Sequence, residues 1–343
     1  MPKYVLHIGP PKTGTKYLQS SLYRLRQFLL NDGIYYPEVW WTNSDQFSHE
    51  ELLAELGKGP AGNLDATFNA FNASSHETIL FSCEGFVDLK SDQLQYLKRL
   101  INGAPVEIVY YVRRWTDWLP SSWQEMVRQG STETFPHMMA HLLRGPMNEQ
   151  AINATLILDR FADAFGKQSI VLGSYSNVID KSGDIVDDFL RNVLRRNYER
   201  AAAPDSVNPS MDPLTTELVR ALNALEADGP QPRPRFEQAL ATLVEYGECQ
   251  ADLDLIYGRM QQHMSSINFS DDCAALSPVY QLMSEKYGDH LSSPEYGSRL
   301  FVGKARQVAY VNSDYLLGEG VVAAIRRVHA ATGRTGPEHA DRW

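Results

Sequence analysis

The chain has 343 residues, 43% of them hydrophobic, and a formal net charge of −10. That is enough chain for one large core or a core with a satellite domain, and the acidic balance excludes a general attraction to nucleic acid or anionic membrane surfaces. Three scattered cysteines, Cys83, Cys249 and Cys273, form no CxxC zinc pair and no disulfide framework. No apolar run reaches the roughly 20 residues needed to span a bilayer, so the sequence predicts a soluble, cytoplasmic protein with no membrane span.

Residues 4–9 (YVLHIG) read as a short buried strand ended by Gly9-Pro10-Pro11. A helix follows from about Thr15, with Leu18, Leu22, Leu25 and Leu29 on one face. Ile34-Tyr35-Tyr36-Pro37 is a short extended piece. Further core strands are expected at residues 77–83, 106–113 and 168–172, with helices at 91–101, 117–129 and 155–165 between them. This alternation predicts an α/β fold: a P-loop-like, mostly parallel sheet flanked by helices. Beyond about residue 200, Pro204, Pro209, Pro213, Pro230, Pro232 and Pro234 punctuate helical runs, and no further core strand is expected. The reading is therefore a core over residues 1–200 and a mostly helical C-terminal annex over 201–343.

Two strand-to-helix junctions carry the chemistry. In Gly9-Pro10-Pro11-Lys12-Thr13-Gly14-Thr15-Lys16-Tyr17, Gly14 permits a tight turn that brings amide N–H groups close to an anion. The helix N-terminus adds partial positive charge, Lys12 and Lys16 add whole charges, and Thr13 and Thr15 add hydroxyls. A nucleoside-triphosphate P-loop needs Lys-Ser or Lys-Thr where Thr15-Lys16 stands, which misplaces the hydroxyl that would hold Mg²⁺. The second junction runs from Tyr111 to Ser122. Pro120 there predicts a helix start near Thr116 or Asp117, with Ser121 by its free N–H groups and Arg113 reaching the same space. Two anion sites at neighbouring strand ends suit a ligand with phosphate at both ends.

At these residues the chain resembles the family of sulfotransferases that use 3'-phosphoadenosine 5'-phosphosulfate (PAPS). Lys12 to Tyr17 is similar to the family's 5'-phosphosulfate loop, written PK[ST]GTTW or PKTGTTxLQ, and Leu18-Gln19 continues the latter form. Arg113 and Ser121 match the arginine and serine, eight apart, that take the 3'-phosphate. Residues 34–37, residues 161–166 and Asn208-Pro209-Ser210 are similar to the bacterial, carbohydrate-type members, and the likeness runs over about residues 4–225. Lys16 departs from the common second threonine, and Tyr17 stands where some members carry a tryptophan near the adenine.

The resemblance implies sulfuryl transfer from PAPS to an acceptor hydroxyl, a small molecule or a carbohydrate with the carbohydrate preferred, and no metal. Lys12 would stabilise the leaving oxygens. Glu84, after the second core strand, is the favoured base, since several carbohydrate-type members use glutamate in a comparable position. The alternative is an ordinary capping glutamate, with His7 and His49 as other candidate bases. His137 and His141 share a helix face at metal spacing without an evident third ligand. Tyr35, Tyr36, Trp40 and Trp41 read equally as an acceptor platform or as aromatic core, and Arg299, Lys304 and Arg306 read as solvated charge. The competing functions are a P-loop nucleotide kinase and a non-catalytic nucleotide-binding relative.

Overall fold

A computed structural model of the protein describes residues 1–41, 47–62, 64–198, 211–226, 236–293, 299–318 and 320–333. The chain forms two compact units, neither of them continuous in sequence. The first comprises Met1–Trp115, Gly145–Val207 and Ala274–Gly303; the second comprises Thr116–Arg144, Asn208–Cys273 and Lys304–Trp343. The sequence reading drew one boundary, near residue 200.

The first unit is built on strands β1 (Lys3–His7), β2 (Ile34–Tyr35), β3 (Thr78–Ser82), β4 (Val106–Val112) and β5 (Ile170–Ser174). They pair in the order β2-β3-β1-β4-β5, and every pairing is parallel. Parallel strands need crossovers, which place helices over the faces and bury the strands. Accordingly all five residues of β3 are buried. Among the described residues the α-helices are α1 (Thr15–Asn31), α2 (Glu50–Gly57), α3 (Asp65–Ala73), α4 (Ser91–Ile101), α5 (Trp115–Arg128), α6 (Phe135–Leu142), α7 (Thr155–Phe165), α8 (Tyr175–Asp180), α9 (Ile185–Asp188), α10 (Pro213–Leu225), α11 (Phe236–Glu245), α12 (Gln250–Gln262), α13 (Ser277–Tyr287) and α14 (Val321–Thr332). Leu18, Leu22 and Leu29 of α1 are buried and Leu25 partly so, in one cluster with Val5, Leu80, Val109 and Phe189. The leucine face read from the sequence is thus the face on the sheet.

β1 is flanked by β3 on one side and β4 on the other, so the connections leave it in opposite directions. Such a switch point opens a crevice beyond the carboxyl ends of the strands. Those ends are His7, Ser82 and Val112, and the segments that follow them supply the residues singled out above.

Among its described residues the second unit is helical apart from an antiparallel ribbon of β6 (Met264–Ser270) and β7 (Ala305–Val311). The ribbon adds two half-exposed strands after residue 200, where the sequence predicts no further core strand. The serines and asparagine of MSSINFS hide β6, and its half-exposed residues leave no apolar run to read. Pro213 is the first residue of α10, where a missing N–H costs nothing. Asp212 caps that helix, accepting hydrogen bonds from the N–H groups of Leu214 (2.9 Å) and Thr215 (3.0 Å). Pro204, Pro209, Pro230, Pro232 and Pro234, and the Asn208-Pro209-Ser210 motif, lie outside the described residues.

A second correction concerns α5. It begins at Trp115, so Pro120 falls inside the helix and not in its first turn, and Ser121 sits in the second turn. Proline cannot donate to the carbonyl four residues back, that of Thr116. Arg306 donates to that carbonyl instead, at 3.3 Å, and also pairs with Asp117 at 3.1 Å. Arg306 is therefore part of the fold of this unit and not merely solvated charge. The buried Asp271 completes the device. Its carboxylate accepts from the Thr116 N–H (2.9 Å), the Thr116 hydroxyl (2.8 Å) and the Lys304 N–H (2.9 Å). Among the described residues, no helix is long and apolar enough to cross a membrane.

Because Asp271→Ala would strand three donors at once, it is expected to destabilise the protein by about 2–4 kcal/mol. Urea unfolding followed by tryptophan fluorescence reads the loss, and a change below about 0.5 kcal/mol would contradict this account of the helix start.

Candidate functional site

The loop after β1 is shaped by backbone that few residues adopt. Gly9 has φ +93°, and a Cβ there would lie 3.3 Å from the Cα of Glu84, so a side chain would crowd the backbone that follows β3. Gly14 has φ +76°, and its Cβ would meet Ile185 Cγ2 and Tyr175 Cε2 at 3.3 Å. Lys12 also has a positive φ, +68°. For a lysine that conformation costs roughly 1–2 kcal/mol. The guanidinium of Arg113, at the end of β4, donates to the Lys12 carbonyl and holds the strained residue in place.

Past Gly14 the helix α1 begins with no side-chain cap and no acidic residue in its first turn. Its opening amides therefore have no partner within the helix, and the dipole presents positive charge. Lys12 is half-buried and Lys16 is exposed at this same end. The hydroxyls of Thr13 and Thr15 are buried and turn inward: Thr13 donates to the Pro10 carbonyl at 2.7 Å, and Thr15 lies 3.3 Å from it. They brace the loop. Tyr17 donates to Asp184 at 2.6 Å, and the other oxygen of Asp184 accepts from the Val186 N–H at 2.7 Å.

Glu84 follows β3 and opens a short 3-10 turn, Glu84–Asp88. Burial pushes its carboxyl above the ordinary glutamate range. The Thr15 hydroxyl, then the Lys16 and Lys12 ammonium groups, oppose that rise, while Glu50 at the start of α2 reinforces it. A carboxyl with raised proton affinity, next to two lysines at an uncapped helix start, can accept a proton beside a bound anion. Lys12 to Tyr17, Arg113 and Glu84 are thus gathered in the first unit. Ser121 lies on α5 in the second unit.

The remaining candidates take structural places. His7 and His49 are wholly buried, and burial holds them down at about 3 and about 4 respectively. His7 Nδ1 lies 2.8 Å from the Ser82 hydroxyl. His49, the other candidate base, bonds backbone with both ring nitrogens. Trp40 packs on Phe68, Phe71 and Phe81, and Trp41 on Tyr23, Tyr36 and Phe47, and both indoles are half-buried. His137 is paired with Glu133 at 3.0 Å. Among the described residues no group of three or more His, Cys, Asp or Glu could hold a metal ion.

Tyr175 escaped the sequence reading. It lies against Gly14, and the Arg113 guanidinium sits 5.1 Å from its ring centre, within cation–π range. The register shows where the signal was. Val112 pairs with Ser174, so Tyr175 follows β5 where Arg113 follows β4; a strand ended at Leu172 hides the correspondence.

No protein-family model matches the chain. An uncharacterized protein of Archaeoglobus fulgidus is 24% identical over 158 residues, 45% of this chain and 41% of that protein; the chain thus spans less than half the length of this curated relative. A solved structure titled as a sulfotransferase from Alicyclobacillus acidocaldarius aligns over 66% of this chain and 95% of its own. The identity is 16% and the TM-score 0.36. Likeness this shallow decides no function, and the site's own residues must.

The two buried histidines make acid stability testable. Unfolding frees each imidazole to take a proton near pH 6.5, while the folded protein refuses it until about pH 3 to 4. Their contribution is present above about 6.5 and is lost as pH falls toward the folded values. Each should steepen the loss by about 1.4 kcal/mol per pH unit over that window. Urea midpoints from about pH 7 to 4.5 should show His49→Asn with the shallower slope; equal slopes would contradict a neutral, buried His49.

Proposed function

We propose that this protein is a PAPS-dependent sulfotransferase acting on an acceptor hydroxyl, with a carbohydrate the favoured acceptor. The observation that carries the reading is the uncapped start of α1, with Lys12 and Lys16 beside it and the raised carboxyl of Glu84 facing it. The motif resemblance adds the sulfuryl donor. A reducing, cytoplasmic setting belongs to the proposal, from the three scattered cysteines of the sequence.

In this reading the donor's 5'-phosphosulfate lies on the amides of Thr15 to Tyr17. The acceptor oxygen attacks sulfur as its proton passes to Glu84. The S–O bond to the 5'-phosphate breaks, and the leaving phosphate oxygen takes the electron pair. Lys12 meets the charge that grows there, a stabilisation felt more in the transition state than in the ground state. Arg113 serves twice, holding the loop through the Lys12 carbonyl and offering positive charge for the 3'-phosphate. Ser121 is proposed as a further 3'-phosphate donor from the motif match. Tyr17 is proposed beside the adenine.

Nucleotide choice follows from anion placement. 3'-Phosphoadenosine 5'-phosphate should bind without Mg²⁺ and tighter than AMP or ATP, with Arg113→Ala weakening it by about 1.5–3 kcal/mol. Calorimetric titration that ranks ATP–Mg²⁺ first would favour the kinase alternative and overturn the proposal.

Chemistry separates from binding in two variants. Lys12→Ala should slow the single-turnover rate at saturating PAPS by roughly 10²–10³. Glu84→Gln should leave nucleotide affinity within about threefold and reduce turnover by roughly 10²–10⁴. The wild-type rate should fall as pH drops through the raised proton affinity of Glu84, and the variant should lack that limb. A Glu84→Gln enzyme with a near-normal rate would remove Glu84 from the chemistry.

A further inference from the structure

β2 pairs with β3 through Ile34↔Thr78 and Tyr35↔Ile79, so among the described residues the carboxyl half of β3 has no strand on that side. His49 fills the edge. Its backbone N–H donates to the Ser82 carbonyl at 3.0 Å, and its Nδ1 lies 3.2 Å from the Ser82 nitrogen. With the Ser82 N–H as donor, Nδ1 is the acceptor and the proton sits on Nε2, which donates to the Pro37 carbonyl at 3.0 Å. One neutral imidazole thus joins the edge of β3 to the chain leaving β2.

The Ser82 side chain faces elsewhere. Its hydroxyl accepts from Gln19 Nε2 of α1 at 3.1 Å and bonds His7 Nδ1 of β1 at 2.8 Å. The Cys83 N–H donates to the His7 carbonyl at 3.0 Å, carrying the ladder to the residue before Glu84. His7, Gln19, Ser82 and His49 are all at most 4% exposed. Burying four polar side chains costs desolvation that apolar packing would avoid, and a fully satisfied network returns a single fixed geometry. The geometry fixed here is the end of β3 against β1, α1 and α2. That is where the backbone of Glu84 presses on Gly9.

We infer that His49 and Ser82 are positioning residues, clamping the end of β3 so that the Glu84 carboxyl stays against Thr15 and Lys12. This rests on the proposed function for what Glu84 does, but not for where it is held. Lys12 and Lys16, from the loop and α1, and Glu50, from α2, also face the carboxyl and are untouched by the substitutions below.

Asparagine and glutamine at position 49 separate the two ring nitrogens. His49→Asn keeps a polar atom near the Nδ1 position and its bond to the Ser82 N–H; His49→Gln reaches toward Pro37 and loses that side-chain contact, and both keep the backbone bond to the Ser82 carbonyl. The Glu84 carboxyl is titrated by NMR in the full-length protein labelled with ¹³C-glutamate, its signal assigned with Glu84→Gln. Affinity for 3'-phosphoadenosine 5'-phosphate and turnover are measured alongside. In His49→Gln and Ser82→Ala the Glu84 midpoint should move down toward the ordinary glutamate value as water reaches the carboxyl. Turnover should fall roughly tenfold to a hundredfold, with nucleotide affinity within about threefold. His49→Asn should stay near wild type in all three. An unmoved Glu84 midpoint in His49→Gln, or equal behaviour of His49→Asn and His49→Gln, overturns the inference. Should Ser82→Ala fail to fold, the two position-49 variants decide. A wild-type protein that binds no 3'-phosphoadenosine 5'-phosphate would sink the proposed function instead, while the titration still decides the clamp.

Discussion

Close approach of two strand ends underlies the site. Gly9 and Glu84 come so near that a single added carbon would sit 3.3 Å from the neighbouring backbone. That contact places a carboxyl over the start of α1, among lysines that would otherwise draw anions without any means of accepting a proton. The strained Lys12 follows from the same crowding: the chain must leave β1, turn under Glu84 and enter a helix within a few residues. Arg113 makes the turn tenable by binding the Lys12 carbonyl, so a cation on β4 supports the backbone of a loop on β1. Three neighbouring strands thereby contribute to one surface.

Electrostatically the crevice is balanced. Burial raises the proton affinity of Glu84 and Glu50 adds to it, while Thr15, Lys16 and Lys12 pull it down. A carboxyl with its proton affinity raised in this way is a better base than an exposed one. His7 and His49, close by in the fold, are driven the other way and stay neutral. The division is one of solvent access. The histidines point into the core, where an imidazolium would have no hydration, and the glutamate stands at the margin.

Much of this was legible in the sequence. The parallel strands and α1, α4 and α7 were evident because their apolar periodicities are strong and their ends carry glycine, proline or a charged cluster. The loop was evident because anion binding demands glycine, hydroxyl and lysine at short range. What escaped has physical reasons. Strand β6 is half-exposed and rich in serine, so it leaves no apolar run, and the four apolar residues that end β7 are too few to tell strand from helix. Pro120 misled because its missing hydrogen bond is replaced by Arg306, which stands 190 positions beyond Thr116 in the chain. The role of His49 depends on where β2 stops, and a two-residue strand announces no end. Tyr175 required the register of β5 against β4.

The interleaving of the two units bears on how the chain is made. The sheet-bearing unit draws on residues up to Gly303, and the other draws on the stretch from Thr116 to Arg144 as well as on β7 and α14. During synthesis from the N-terminus neither can close early: the helix α5 emerges long before Asp271 and Arg306 exist to complete its first turn. Until then its Thr116 carbonyl and amide must be served by water or by a chaperone. A fragment cut near residue 200 would carry α5 and α6 without the rest of their unit, and would lack α13 from the other. Expression of the separate halves is therefore a poor route to either unit, whereas joining the non-contiguous segments by short linkers respects the way the chain is divided.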